Sequence, residues 1–247
     1  MKKLLEFEYR KLLRSKAFYI CLLISMLSVS VSIITIFLII RFFSEEVGSS
    51  TSLVIMKNAF GNGMLSIIGG IFISIFVCED DSLGTIKNIY ARGYSKVKVN
   101  ISKYLVSLTG YVIMYIIDVL LSFVLGLVFF KNGEVDSTFI ASLFAILVLV
   151  TSYHSIFFLF ASVFRKLSFS IASSIVFPNI MTLILTLIDS FSKLNFKFSD
   201  YWIDNNLTFL TGIDTNAEII TRSFILGFVV IIIALTISNL TIKRKQV

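Results

Sequence analysis

The sequence is poor in charged residues. Only 15% of its 247 residues are Asp, Glu, Lys or Arg, whereas 57% are hydrophobic and the mean hydropathy is +0.93. Soluble domains carry about 25% charged residues, so this composition excludes a soluble globular protein. No polar stretch is long enough to bury a core of its own. We therefore expect one membrane domain, residues 1–247.

Histidine and cysteine are also scarce. A single histidine does not suffice for a multi-histidine zinc site, and we predict no metal site. Cys21 and Cys78 lie within or beside apolar runs, which is typical of small packing residues rather than of a disulfide framework. The net charge of +7 comes from Lys and Arg residues next to apolar runs, not from one basic stripe, so nucleic acid is not an expected partner.

Catalytic motifs are missing as well. The sequence contains neither the phosphate-binding pattern G-x-x-x-x-G-K-[ST] nor the nucleophile pattern G-x-S-x-G. We therefore expect a chain that is not an enzyme and binds no cofactor itself. The energy for any transport then comes from a partner that hydrolyses ATP or from an ion gradient.

Long apolar runs dominate the chain. A helix rises about 1.5 Å per residue, so a hydrocarbon core of about 30 Å requires roughly 20 apolar residues. Six runs approach this length, and they lack the alternation of barrel strands: 17–40, 61–78, 104–130, 137–164, 168–188 and 223–241. The expected fold is an all-α integral membrane protein with six transmembrane helices.

The positive residues favour one orientation. Sixteen Lys and Arg residues lie on the side of the N-terminus, the second loop, the fourth loop and the C-terminus, and six lie on the other side. Because positive residues near span ends are retained in the cytoplasm, both termini are predicted to be cytoplasmic. The outer segment 189–222 mixes aspartates with Tyr201 and Trp202, which suits either an ordinary external loop or a partly embedded lid.

The N-terminal segment 2–16 is amphipathic. Leu5, Tyr9 and Leu12 follow the spacing of one helical face among basic residues, which predicts an interfacial helix. The alternative is a positive anchor with no further role.

The second cytoplasmic loop, residues 79–103, contains a predicted short helix. Asp81 or Ser82 is expected to cap its start, and Gly93 to supply a left-handed stop. The apolar side of this predicted helix lies in the cytoplasm, where it cannot insert into the membrane. It requires a partner surface, either on this chain's own helix ends or on a separate soluble subunit.

Several segments, in this order along the chain, resemble the permeases of ABC-2 type exporters. They are Glu8-Tyr-Arg-Lys-Leu-Leu-Arg-Ser-Lys16, the loop from Glu79 to Lys96 with its core Leu83-Gly-Thr-Ile-Lys-Asn88, and Ser102-Lys103 opening the third span. The resemblance is strongest to the small permeases that accompany an ATPase in bacteriocin or lantibiotic immunity and peptide export.

This resemblance implies a dimeric transmembrane unit, made with a second copy or a sister permease, on two ABC ATPase subunits that hold ATP and Mg. The loop helix becomes the coupling helix, segment 2–16 becomes an elbow helix, and short re-entrant helices are expected in 189–222. The implied coupling residues are Leu83, Thr85, Ile86, Lys87, Tyr90 and Arg92. The implied location is a bacterial plasma membrane, and the implied cargo is an antimicrobial or toxic peptide. Lipid, drug or sodium extrusion and an ion-coupled carrier using Asp118 are the alternatives.

Polar residues inside the spans are the pathway candidates. Asp118 is costly in mid-span and must face protein or water or be protonated; it either pairs with His154 or each is satisfied separately. One face of the first span carries four hydroxyls, which line a path or pack helices: Ser25, Ser28, Ser32 and Thr35. Asn179 and Thr182, beside the single proline Pro178, line a pathway or a permease–permease interface.

Small residues predict one helix contact. Ser66, Gly70 and Ser74 form a small-xxx-small ridge in the second span, for which packing against another helix is the favoured interpretation.

Overall fold

A computed structural model describes residues 1–43, 52–61, 64–130, 138–192, 196–212 and 215–244. Over these ranges all regular structure is helical. The α-helices are α1 (Lys2–Arg14), α2 (Lys16–Phe43), α3 (Ser52–Gly61), α4 (Met64–Ser82), α5 (Thr85–Ala91), α6 (Lys96–Phe129), α7 (Phe139–Phe164), α8 (Leu167–Phe191), α9 (Ile203–Thr211) and α10 (Ala217–Arg244). A 3-10 turn, Phe198–Tyr201, precedes α9.

Within the described ranges, five helices are long and apolar enough to cross a membrane: α2, α6, α7, α8 and α10. Helix α4 corresponds to the predicted second span and has 19 residues, about 28 Å of helix at the usual rise. Its last turn contains Glu79, Asp80 and Asp81, which shortens its apolar part. Six spans and the cytoplasmic position of both termini therefore stay predictions.

The helices are longer than the predicted spans at the loop 79–103. Helix α4 continues to Ser82 and α6 begins at Lys96, eight residues before the predicted third span. Ser95 caps the start of α6, since its hydroxyl accepts a hydrogen bond from the backbone N–H of Lys98. Hydropathy alone missed these turns because lysines and carboxylates interrupt the apolar runs there. Helix α3 was not predicted, and α10 begins six residues before the predicted sixth span.

The core of the bundle lies around α4 and α7. Phe72 and Phe76 of α4 and Tyr153 and Phe157 of α7 are fully buried. Helix α8, in contrast, buries only Ser170, Ser174 and Pro178. The outward faces of α2, α8 and α10 are apolar and exposed, as expected of surfaces that meet lipid or another membrane subunit.

The contact between α4 and α8 is made by small residues. The Ser170 hydroxyl donates to Ser74 Oγ at 2.7 Å. A β-carbon on Gly70 would lie only 2.8 Å from Ser174 Cβ, so the two backbones approach closely. These contacts confirm the packing interpretation for Gly70 and Ser74 of the ridge. Helix α8 continues through Pro178.

The bundle has a basal end and a distal end. The basal end holds α1, α5, the end of α4 and the start of α6. The distal end holds the first residues of α7 and α10. Gly69 of α4 lies beside Tyr111 of α6, and Asp80 lies beside Lys103, so α4 and α6 run antiparallel and meet at the basal end.

Candidate functional site

A cluster of buried charges joins three helices at the basal end. Lys103 Nζ of α6 lies 2.6 Å from Asp80 Oδ2 of α4, and Lys11 Nζ of α1 lies 3.0 Å from Asp80 Oδ1. Lys11 also lies 3.4 Å from Glu79, whose side chain is 44% exposed, whereas that of Asp80 is 7% exposed. We call Glu8, Lys11, Glu79, Asp80 and Lys103 the basal charge cluster.

The two lysines of the cluster also hold the end of α4 through its backbone. Lys11 donates to the Phe76 carbonyl at 3.1 Å and Lys103 to the Val77 carbonyl at 3.4 Å. These carbonyls lie within the last turns of α4, where helix carbonyls carry partial negative charge. The cluster therefore fixes α1 and α6 to the end of α4.

Asp80 is ionised in this arrangement. Burial raises its pKa, but the charges and hydrogen bonds of Lys103 and Lys11 outweigh that effect and hold the pKa below its usual value. A buried carboxylate is tolerated when it is paired and hydrogen-bonded in this way.

Glu8 behaves differently from Asp80. Its side chain is fully buried, and neither carboxylate oxygen has a hydrogen-bond partner among the residues that the structure describes. Burial raises the pKa of Glu8, and the nearby charges of Lys103 and Lys11 offset this only in part. Protonation therefore eases the burial of Glu8.

Helix α5 is attached to this cluster at its first residue. The Thr85 hydroxyl lies 3.3 Å from both the carbonyl and the carboxylate of Asp80. The predicted caps at Asp81 or Ser82 are wrong, because both residues belong to the last turn of α4. Gly84, in left-handed conformation with φ 69°, precedes α5 instead. The predicted left-handed stop at Gly93 is confirmed, with φ 82°.

The two sides of α5 face different surroundings. Ile86 is buried, and Ile86 and Tyr90 line a small cleft with Val99 and Asn100 of α6. Leu83 is 68% exposed, and Thr85, Lys87 and Arg92 are exposed as well. The residues implied to contact an ATPase therefore divide into an inner pair, Ile86 and Tyr90, and an outer set that remains accessible to a partner.

Asp118 and His154 have separate partners. The Ser25 hydroxyl donates to Asp118 Oδ1 at 3.3 Å, and the Ser107 hydroxyl lies 3.0 Å from His154 Nε2. Of the two alternatives, separate satisfaction by neighbouring helices matches these contacts. The second carboxylate oxygen of Asp118 and His154 Nδ1 have no hydrogen-bond partner in the described part of the chain.

The hydroxyl face of α2 is only partly buried. Ser25 is fully buried, Ser28 and Ser32 are half-buried and Thr35 is exposed. Each hydroxyl donates to a carbonyl three or four residues earlier in its own helix. Such bonds satisfy a hydroxyl inside a membrane and leave the face polar enough for a partner or a path.

The segment before α10 turns back into the bundle. Asp204, at the start of α9, accepts hydrogen bonds from the Tyr153 hydroxyl, the Thr182 hydroxyl at 2.8 Å and the Trp202 indole at 3.2 Å. Thr182 lies seven residues, about 10 Å of helix, before Asp189 on α8. These contacts favour a partly embedded segment over an ordinary external loop.

Sequence reasoning missed Asp204 and its partners. Asp204 was one of several aspartates in 189–222, and nothing local marks it as the one that meets Tyr153. Thr182 was a pathway candidate, and the structure gives it a positioning contact. Asn179 is exposed, and its amide donates to the Ile175 carbonyl of its own helix at 2.8 Å.

Comparison with known proteins identifies the family. A search of the curated proteins found no match to this chain. The family described as ABC-2 family transporter protein matches residues 4–189, from α1 through α8. Members are membrane-spanning permease subunits of ABC transporters, and ATP hydrolysis belongs to a partner ATPase. Since the match covers three quarters of the 247 residues, this chain belongs to the ABC-2 family of transporter proteins.

Proposed function

We propose that this chain is the permease subunit of an ABC exporter that moves an amphipathic peptide out of a bacterial cell or its plasma membrane. It pairs with a second copy or a sister permease, and the pair stands on two ABC ATPase subunits that hold ATP and Mg. The observation that carries the proposal is the outer side of α5, which is accessible while its inner side is fixed to the transmembrane helices.

The contacts of α5 support a path for mechanical coupling. Displacement of α5 by an ATPase acts on Asp80 through Thr85, and Ile86 lines the same cleft as Val99 and Asn100 of α6. Asp80 passes this displacement to Lys11 of α1 and Lys103 of α6. Packed, ion-paired elements move together because separating them leaves buried charges unpaired.

The peptide cargo is proposed from the resemblance to immunity and peptide-export permeases. Partly buried hydroxyls on α2 and the amide of Asn179 are compatible with an amphipathic molecule that enters from the membrane. We propose that the turned-back segment with α9 acts as a re-entrant closure on the distal side of that route.

A second candidate rests on Asp118. This fully buried carboxylate has one oxygen without a partner among the described residues, as expected of a group that exchanges a proton or cation. In an ion-coupled carrier, replacing Asp118 with Asn abolishes transport and no ATPase is required. Lipid, drug or sodium extrusion by an ABC-2 permease remains a further alternative for the cargo.

The test compares a negative charge at the exposed surface beside α5 with the same charge elsewhere in the loop. We expect Leu83→Asp to abolish co-purification of an ABC ATPase in mild detergent, because the charge enters the contact surface. Ser95→Asp is the matched control: it adds the same charge to the same loop, and Asp retains the cap of α6.

Two results contradict the proposal. Either the wild-type chain captures no ATPase under conditions that preserve other membrane complexes, or Leu83→Asp and Ser95→Asp lose it equally. With the complex in hand, ATPase stimulation by a cationic amphipathic peptide, but not by sodium or added lipid, supports the peptide cargo, and the reverse pattern contradicts it.

A further inference from the structure

An open groove of about 770 Å³ runs along the distal half of α10. Its two ends differ in chemistry. Glu218 and Arg222 lie at the end near the start of α10, beside Tyr201, and Ile225, Leu226, Val229 and Val230 form the remainder. The groove is therefore amphipathic, with charges at the distal end and an apolar wall that continues toward the middle of the helix.

Arg222 is held in place by contacts on three sides. Its Nε donates to Asn206 Oδ1 at 3.1 Å, and its guanidinium lies 5.4 Å from the ring centre of Tyr201 and 5.7 Å from that of Phe209. Asn206 is fully buried and donates to the carbonyls of Asp200 and Trp202, each at 2.8 Å. The arginine is thus positioned before any ligand arrives.

The guanidinium lacks an anionic partner within the chain as described. No carboxylate of the described residues forms an ion pair with Arg222, although Glu218 lies one helical turn away. The Nε of this half-buried arginine is hydrogen-bonded and its guanidinium lies near two aromatic rings, but the outer N–H groups of the guanidinium fork can still bind a ligand. Such a fork binds phosphate oxygens in pairs, which an ammonium group does not do.

We propose that this groove binds one phospholipid with an ethanolamine headgroup. The lipid phosphate meets Arg222, the ammonium group meets the exposed carboxylate of Glu218, and one acyl chain lies against Ile225 and Val229. A zwitterionic headgroup accounts for the opposite charges one turn apart, and the apolar wall below them accounts for the chain. Tyr201, which lines the groove, is a residue type that favours the membrane interface.

The site does not depend on the cargo or on the ATPase, so the co-purification experiment on α5 and this lipid proposal fail independently.

The full chain, purified in mild detergent, is titrated with lipid and examined by native mass spectrometry. The probes are phosphatidylethanolamine, phosphatidylglycerol, diacylglycerol and inorganic phosphate. We expect one ethanolamine lipid to be retained at the lowest mole fraction, and diacylglycerol to require at least about tenfold more, since it lacks the phosphate that Arg222 binds.

Variants identify the groups that bind. Arg222→Gln is expected to remove the preference for phospholipid over diacylglycerol, and Glu218→Gln the preference for ethanolamine over glycerol. Arg41→Gln is the matched control, because Arg41 is exposed at the far end of α2, outside the groove. Because Glu218 is exposed, its variant tests the site even if Arg222→Gln unfolds.

Three outcomes overturn the proposal. They are equal retention of phosphatidylethanolamine and diacylglycerol by the wild type, an equal loss of lipid in Arg41→Gln and Arg222→Gln, and displacement of the lipid by millimolar inorganic phosphate. The first removes the headgroup contact, the second indicates general surface charge, and the third indicates an anion site rather than a lipid site.

Discussion

Asp80 illustrates at the residue scale how one carboxylate serves several helices. Its carboxylate forms ion pairs with Lys11 of α1 and Lys103 of α6, and it accepts a hydrogen bond from the hydroxyl of Thr85 of α5. A buried pair of charges contributes little net stability compared with apolar residues, but breaking one is costly because the partner stays buried and charged. Removing Asp80 is therefore expected to destabilise the fold, because Lys11 and Lys103 would lose their buried counter-charge.

Replacing Asp80 with Asn tests this role. We expect the free energy of unfolding to fall by about 3 to 5 kcal/mol, since two lysines lose their buried counter-charge. Thermal unfolding of the purified chain in detergent measures the change. The neighbouring Glu79→Gln is the control and should cost less than about 1 kcal/mol, because Glu79 is partly exposed and screened by solvent. Equal losses in the two variants would show that burial of Asp80 is not what matters.

Glu8 makes the stability of the fold depend on pH. The sign is opposite to that expected for Asp80, because the pKa of Glu8 is raised and that of Asp80 is lowered. Burial raises its pKa above the ordinary 4.5, so the folded chain binds the proton more tightly than the unfolded chain does. The contribution of protonated Glu8 to the stability of the fold is therefore fully present below pH 4.5, and it is lost as the pH rises through the raised pKa.

A neutral variant removes this loss. We expect Glu8→Gln to melt at a higher temperature than the wild type at pH 8, and the difference to shrink toward zero as the pH falls below 4.5, where Glu8 is mostly protonated even in the unfolded chain. Melting curves across that range measure it. A variant that is less stable than the wild type at every pH would mean that the ionised carboxylate pairs productively with the lysines.

The residues of the basal charge cluster were visible in the sequence, but their pairing was not. Lys11 and Lys103 were counted among the basic residues beside apolar spans, and with Glu8, Glu79 and Asp80 they lay in the segments that carry the family resemblance, but nothing in the sequence paired them. Positive residues near a span end have one obvious explanation in orientation, so no local pattern distinguishes Lys103, which is 4% exposed at its side chain, from an ordinary loop lysine. Long-range pairing requires the fold.

At the scale of elements, small residues set the spacing of α8. Its contact with α4 uses Ser74, Ser170, Ser174 and Gly70, and its remaining surface is apolar and exposed. Without a hydrophobic force between helices inside lipid, close backbone approach and hydroxyl bonds stabilise such a contact.

Gly70→Ala is expected to disturb this contact. The added β-carbon would lie 2.8 Å from Ser174 Cβ and 3.3 Å from the Phe157 ring, which forces the helices apart and costs about 1 to 3 kcal/mol of stability. Ser174→Gly removes the nearer obstacle, so the double variant should recover part of the loss. Thermal unfolding of the wild type, both single variants and the double variant completes the cycle. Strict additivity of the two changes would show that α4 and α8 do not meet at this point.

Long helices were predictable and short ones only in part. Apolar runs of about 20 residues leave the backbone no state but helix in a membrane, so α2, α7 and α8 agree with their predicted spans within a few residues. Helix α5 was anticipated from its spacing and Gly93. Its start was misplaced because Gly84, in left-handed conformation, precedes the helix.

At the scale of the whole molecule, one contact constrains the topology. Helix α2 follows α1 directly, and Lys11 of α1 touches Asp80 at the end of α4. If α2 crosses the membrane, the chain must cross back before Asp80, and α4 is the helix that reaches it. The geometry therefore favours the predicted six spans over five.

Cysteine labelling tests this topology. We expect Ser95→Cys to react with a membrane-impermeant maleimide only in inside-out vesicles, and Thr208→Cys only in intact cells, because the predicted six spans put these two exposed residues on opposite sides of the membrane. Cys21 and Cys78 are buried and give a low background. Labelling of Ser95→Cys in intact cells would mean that α4 does not cross.

The basal charge cluster also sets an order for synthesis of the chain. Lys11 and Asp80 leave the ribosome well before Lys103, so the nascent chain holds an incompletely paired carboxylate at the end of α4 until the first turns of α6 have been made. A chain that stops in the loop before α6 keeps that defect permanently. The first turns of α6 therefore complete the pairing of Asp80, and we expect chains truncated before them to be degraded faster than the full chain.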